Sequence, residues 1–267
     1  MQNQDKMIKI VLPVILILAV IVLITVSIVE VSNMGKNVKP LSANREIPAI
    51  DLATPKTYET ATFALGCFWG AESKFGSLDG VIRTRVGYAG GTAANPTYYE
   101  IGDHSESVQL DYDPTVISYE ELLQVFWQSH DPLVQPYSGQ YASLILYHND
   151  KQRVSAEISR QLEQKKHLQE ISTRISPIVT FYLAEGYHQK YILQQTFVVM
   201  GEFKTIYPDL RDFVNSTAAT RINGYLGGNG KLETIQKNLD SFGLSAEASQ
   251  YLLKRSAINA GTCNYVT

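Results

Sequence analysis

The chain has 267 residues, 45% of them hydrophobic, and a formal net charge of −3, so it is long enough to bury one sizeable core with extensions. So small a charge, with no basic stripe and no basic segment interleaved with aromatics, excludes the electrostatic footprint of a nucleic-acid binder. Two cysteines, Cys67 and Cys263, are too few for a disulfide framework or a cysteine-based zinc site, and the five histidines show no ligand spacing, so no metal is predicted.

Ile10 to Val29 reads IVLPVILILAVIVLITVSIV without a charge, and about 20 residues at about 1.5 Å each span a hydrocarbon core of roughly 30 Å. Residues 1–30 therefore predict an uncleaved transmembrane anchor, because a signal peptide has an apolar region of about 7–15 residues ending at small residues. Lys6 and Lys9 precede the run; Glu30 and then Lys36, Lys39 and Arg45 follow it. The basic N-flank leans to a cytoplasmic N-terminus, and hence to a single-pass membrane protein with its folded domain lumenal or extracellular. Asn215-Ser216-Thr217 is a glycosylation acceptor pattern compatible with that side. Residues 31–57, with Pro40, Pro48 and Pro55 among polar residues, read as a tether.

Tyr58 to Leu65 (YETATFAL) sets Ala61, Phe63 and Leu65 on one side and Thr60 and Thr62 on the other, the period of a half-buried strand. After Cys67 the period becomes helical through Phe68, Ala71 or Glu72, and Phe75, until Asp79-Gly80 ends the run. Cys67 is thus expected in or just before a first helical turn, where free backbone N–H groups and the helix dipole favour a thiolate. A cysteine among apolar residues is by default an inert packing residue. Gly66 and Gly70 argue otherwise, since they clear side chains from both sides of the thiol.

Val81 to Tyr88 and Val108 to Tyr112 read as strands. Ser118-Tyr119-Glu120-Glu121 is a capping box that opens a helix with Leu122, Val125 and Phe126 on its apolar face, stopped by Asp131-Pro132. Leu144 to Tyr147 is a further strand, Asp150 to about Gln164 a polar-faced helix, and Ile178 to Tyr182 a last strand. Strands and helices mix without strict βαβ regularity, which predicts an α+β domain built as a two-layer α/β sandwich, helices on a mainly antiparallel mixed sheet. Residues 201–267 form a C-terminal extension with a glycine-rich stretch from Gly224 to Gly230, helical patterns over Leu232 to Leu239 and Ser245 to Leu253, and a Gly-Thr-Cys-Asn ending.

Gly66-Cys67-Phe68-Trp69-Gly70-Ala71-Glu72 resembles the active-site signature of peptide methionine sulfoxide reductase A. Further motifs of that family follow in order: Val86-Gly87-Tyr88-Ala89-Gly90-Gly91, Asn95-Pro96-Thr97-Tyr98, Glu106, Tyr112-Asp113-Pro114, Phe126-Trp127, His130-Asp131-Pro132, Gln140-Tyr141 and Tyr187-His188-Gln189. The likeness covers roughly Tyr58 to Leu193, so residues 58–200 are expected to be the catalytic domain, and it implies the same two-layer, ferredoxin-like arrangement.

Reducing a sulfoxide needs a thiolate to attack sulfur, a proton donor, and hydrogen-bond donors aimed at the oxygen. The resemblance implies that Cys67 is the nucleophile and Glu106 the acid, for which an apolar pocket should raise its pKa. It also implies that Tyr98 and Tyr141 bind the oxygen and that Phe68 and Trp69 wall the S-methyl group. No bound cofactor is expected. Attack leaves a sulfenic acid, and Cys263 is the one intramolecular thiol able to resolve it; a thioredoxin-like dithiol is the implied external reductant, and oxidised methionine in proteins or peptides the implied substrate. Two departures stand out. The acid segment is Asp103-His104-Ser105-Glu106 where the family usually has Gly-His-Ala-Glu, and the short loop Leu133 to Gly139 lacks the family's pocket-ordering aspartate, for which Ser138 is a partial substitute. A thiol peroxidase and a non-catalytic binding protein on the same fold stay open as alternatives.

Overall fold

The computed structural model describes residues 46–262. A short helix α1 (Ala49–Leu52) leads into strand β1 (Glu59–Leu65), helix α2 (Phe68–Gly76), strands β2 (Val81–Ala89) and β3 (Ser105–Tyr112), helix α3 (Tyr119–Gln128), strand β4 (Ser143–Tyr147) and helix α4 (Asp150–Gln164). Strands β5 (Arg174–Pro177) and β6 (Phe181–Leu183) complete a six-stranded sheet in the order β5-β4-β1-β3-β2-β6. Only β4 and β5 run parallel; the other neighbours are antiparallel. This is the expected mixed sheet with helices. The expected last strand differs: 178–180 carry no ladder and separate two short strands on opposite sheet edges.

One face of the sheet is filled as the period predicted. Ala61 and Phe63 of β1 are buried with Ala71 and Phe75 of α2 and Leu122 and Phe126 of α3, and Phe63 stacks on Phe75 at 5.2 Å between ring centroids. The capping box forms: the Glu121 N–H donates to Ser118 Oγ at 3.2 Å, and the Ser118 N–H to Glu121 Oε2 at 2.8 Å. β1 is not half-buried, however. Thr62 and Ala64 on its other side are also fully buried, and the Thr62 hydroxyl is paired with His148 Nε2 at 2.9 Å, so a polar side chain meets burial through a hydrogen bond.

The C-terminal part folds into helices α5 (Tyr191–Gln194), α6 (Phe197–Ile206), α7 (Leu210–Asn215), α8 (Thr217–Leu226), α9 (Leu232–Asn238) and α10 (Ala246–Thr262) around a separate apolar cluster that includes Phe203, Ile222, Tyr225, Phe242 and Leu252. Helix α8 lies directly on α2. A Cβ at Gly224 would stand 2.6 Å from the Ser77 nitrogen and 2.8 Å from the Ser73 oxygen, so only glycine permits this crossing. Gly224 is thus a packing residue inside a helix. Behind the crossing, Lys190 and Glu72 form a fully buried ion pair, Nζ to Oε1 at 2.8 Å, and Lys190 also donates its backbone N–H to Glu72 Oε2 at 2.7 Å. Burial pulls the Lys190 pKa down while Glu72 pulls it up.

The predicted membrane helix and Cys263 lie outside the described residues. Among the described residues no helix is long and apolar enough to cross a membrane. The longest, α10, has 17 residues, short of the roughly 20 predominantly apolar residues that a bilayer needs. On that finding the assignment as a single-pass membrane protein with a lumenal or extracellular domain is corrected.

Candidate active site

Cys67 is the N-cap of α2, held there by the turn after β1, where Gly66 has φ +93°, a conformation that side chains resist. A Cβ at Gly66 or at Gly70 would meet nothing within 4 Å. The thiol is therefore flanked by open space, and Cys67 is exposed and unbridged.

Glu106 comes to it from β3, whose register pairs Glu106 with Tyr88 of β2. The carboxylate is 1% exposed. It accepts the Phe68 N–H at 3.0 Å on Oε2 and the Gln140 side-chain amide at 2.7 Å on Oε1. The acid thus caps the first turn of the helix that carries the thiol, a place where the dipole favours a negative charge. Burial nevertheless outweighs the two hydrogen bonds, and the Glu106 pKa lies above the usual carboxylate range.

Helix placement alone predicted a thiol shifted downward. The balance runs the other way: partial removal from water raises the Cys67 pKa most, the backbone N–H groups of Trp69 and Gly70 lower it, and the Glu106 charge raises it again. Sequence periodicity located the helix start but carried no information on the carboxylate that would share it.

Phe68 is buried and Trp69 half-buried in a small apolar cluster with Val86, Tyr88 and Ala184, against which Tyr98 also packs. The Trp69 indole lies flat on Tyr191, with ring centroids 3.6 Å apart and 4° between planes, and donates its Nε1–H to His188 Nδ1 at 3.2 Å. That bond fixes the neutral His188 tautomer with its proton on Nε2, and burial lowers the His188 pKa. His188 joins the rings: it is 5.0 Å from Phe68 and 4.7 Å from Tyr98. Tyr98 is fixed through its backbone, whose N–H donates to Glu185 Oε1 at 3.1 Å, while Tyr88 Oη donates to Glu185 Oε2 at 2.7 Å.

Tyr141 ends a single turn, Gly139–Tyr141, that Ser138 caps through its hydroxyl on the Gln140 N–H at 3.2 Å. Ser105 donates to the Gly139 carbonyl at 2.7 Å, tying that turn to β3. Burial, the Glu106 charge and a hydrogen bond with Tyr137 all raise the Tyr141 pKa, so its phenol stays protonated at neutral pH. The shortened loop therefore carries its own fastenings, Ser138 on the backbone and Tyr137 on the phenol.

The structure brings Cys67, Phe68, Trp69, Tyr98, Glu106 and Tyr141 together on one side of the sheet. It adds Gln140, Glu185, His188 and Tyr191, which had no role in the sequence reading; Gln140 and His188 fall within family motifs, and that position was the available signal. The groove of about 460 Å³ between α3 and α4, lined by Leu123, Trp127, Ile158 and Leu162 among others, contains none of these groups. Among the described residues no cluster of three or more His, Cys, Asp or Glu side chains is arranged to hold a metal.

Residues 59–219 match the family described as peptide methionine sulfoxide reductase. The chain is 45% identical to a peptide methionine sulfoxide reductase of Drosophila melanogaster over 207 residues, 77% of this chain and 83% of the relative. It is 38% identical to peptide methionine sulfoxide reductase A5 of Arabidopsis thaliana over 220 residues, 79% and 84% of the two chains. Among solved structures, reduced Mxr1 from Saccharomyces cerevisiae superposes with a TM-score of 0.50 at 31% identity, covering 54% of this chain and 88% of the other.

Proposed function

The chain belongs to the peptide methionine sulfoxide reductase family, and from that membership we propose that it reduces methionine S-sulfoxide, free or in proteins, to methionine at Cys67. The observation that carries this reading is the shared helix start: an exposed thiol at the N-cap and, on the next residue's N–H, a buried carboxyl whose pKa burial pushes up.

The substrate's S-methyl group rests against Phe68 and Trp69, and its oxygen takes hydrogen bonds from the phenols of Tyr98 and Tyr141. The Cys67 thiolate attacks the sulfoxide sulfur as Glu106 transfers its proton to the oxygen; the proton shed by the thiol restores Glu106. The S–O bond breaks as the hydroxyl moves to the Cys67 sulfur, and the bond that attack formed between Cys67 and the substrate sulfur opens to release methionine. Methionine sulfoxide is reduced by two electrons to methionine, and Cys67 is oxidised by two to a sulfenic acid. A protonated Glu106 also helps form the nucleophile, because neutralising it removes the charge that raises the Cys67 pKa alongside burial.

Cys263 then attacks the sulfenic acid, water leaves, and a Cys67–Cys263 disulfide forms, to be reopened by a thioredoxin-like dithiol. No bound cofactor enters this cycle. In the division we propose, residues 58–200 perform the chemistry and 201–267 deliver the second thiol. One equivalent of substrate should give a Cys67–Cys263 disulfide in peptide maps run without reductant, and the Cys263→Ser protein should stall as sulfenic acid with a protein reductant but cycle with dithiothreitol. Undiminished cycling of that variant with a thioredoxin-like protein would remove Cys263 from the mechanism.

A further inference from the structure

Three tyrosines stand in water around the site: Tyr99 is 89% exposed, Tyr137 90% and Tyr187 52%. They come from three separate segments, 90–104, 131–139 and 184–190, and each packs one ring outward from a ring of the pocket. Tyr99 meets Tyr98 edge-on at 5.5 Å, Tyr137 meets Tyr141 at 5.5 Å, and Tyr187 meets His188 at 4.2 Å. The rings lie close together: Tyr98 and Tyr99 are near enough to Tyr187, and Tyr98 and Tyr137 near enough to Tyr141, to help push the Tyr187 and Tyr141 pKa values up. Exposed rings gathered from separate segments add little to the fold, and such a patch marks a contact surface.

The charge of this rim has one sign. Its three segments contain Glu100, Asp103, Asp131 and Glu185. Their single lysine, Lys190, is fully buried on Glu72. Beside Gly186 lies Leu210 of α7, and the guanidinium of the next residue, Arg211, stands 3.5 Å from Asp209. Tyrosine faces backed by carboxylates attract lysine and arginine and repel acidic side chains.

We infer that this tyrosine rim selects polypeptide segments in which the residue entering the pocket is flanked by lysine or arginine. The inference rests on the Cys67 reading only for which residue enters the pocket. One cation on an exposed ring is worth about two- to fivefold in affinity, and repulsion of an acidic flank widens the gap between basic and acidic peptides to about tenfold.

The test is binding by the full-length Cys67→Ser protein, followed by anisotropy of rhodamine-labelled pentapeptides with central methionine sulfoxide flanked by Lys, Ala or Glu. The Lys peptide should bind about fivefold more tightly than the Ala peptide and about tenfold more tightly than the Glu peptide. Replacing both Tyr99 and Tyr187 by Leu should bring the Lys/Ala ratio within about twofold of unity, whereas replacing both by Phe, which keeps the ring faces, should preserve it. Equal affinity for the three peptides, or an unchanged ratio in the Leu variant, overturns the inference. Because the readout is binding with the thiol removed, an enzyme that reduces no sulfoxide leaves this result intact; turnover by the unaltered protein reports on that separately.

Discussion

Glu106 is asked to be an acid at neutral pH while lying against a helix N-terminus that favours its ionised form. Burial decides the contest, since it places the Glu106 pKa above the usual range despite two donated hydrogen bonds. The sign of the pH dependence follows. The acid must be protonated, so the reduction rate should fall on the alkaline side as pH rises through the raised Glu106 pKa. Glu106→Gln should abolish that alkaline limb and lower the single-turnover rate by roughly 10²-fold or more, the usual contribution of a general acid. The same change removes a charge that raises Cys67, so iodoacetamide should begin to alkylate the thiol at lower pH in the variant. A rate loss under tenfold, or an unmoved alkylation profile, contradicts the coupling. Cys67, Glu106, Tyr98, Tyr141, Phe68 and Trp69, to which we assign these roles, could be singled out in the sequence because each sits in a local motif. Gln140, Glu185 and Tyr191 were not, because what gives them a part is a partner 34 to 122 positions away: Gln140 on Glu106, Glu185 on Tyr98 and Tyr88, Tyr191 on Trp69.

Helix α2 presents the thiol at one end and is gripped from behind by two contacts that no periodicity announces. One is the Glu72–Lys190 pair. Breaking a buried ion pair from one side leaves an uncompensated charge and costs about 3–5 kcal/mol, so Glu72→Gln should lose stability on that scale in urea unfolding. A loss under about 1 kcal/mol would mean that Lys190 finds another way to shed its charge. The other contact is the α2–α8 crossing, where Gly224→Ala sets a methyl group against the backbone of Ser73 and Ser77. Overpacking of this kind costs about 1–3 kcal/mol, and a thermal melt should record the drop. Strands β1 to β4 and helices α2 to α4 were legible from alternation and capping. Strand β5 and helices α5 to α8 were not: β5 is four residues without alternation, α5 and α7 have only four and six residues, and α8 buries its polar Thr217, Thr220, Arg221 and Asn223 together with its apolar residues, so no polar stripe marks a solvent face.

The whole molecule departs from the sequence reading chiefly in the role of its C-terminal third. Helix α6 runs across the boundary expected at residue 200, the apolar cluster of the tail takes in Leu193, Val199 and Met200 from before it, and α8 lies on α2. A chain ending at Met200 should therefore lose cooperative unfolding and not merely its second cysteine; full stability in the shortened chain would show that the tail only decorates the domain. The central claim is a thiol reductase acting on one sulfoxide epimer, and it is tested most directly by turnover of resolved S and R epimers of a methionine sulfoxide peptide by the full-length protein with dithiothreitol. The S epimer should be reduced, the R epimer left unchanged, and Cys67→Ser should abolish the reaction, because an unactivated hydroxyl is a far weaker nucleophile than a thiolate. Reduction of both epimers alike, or near-normal activity in Cys67→Ser, would contradict the account.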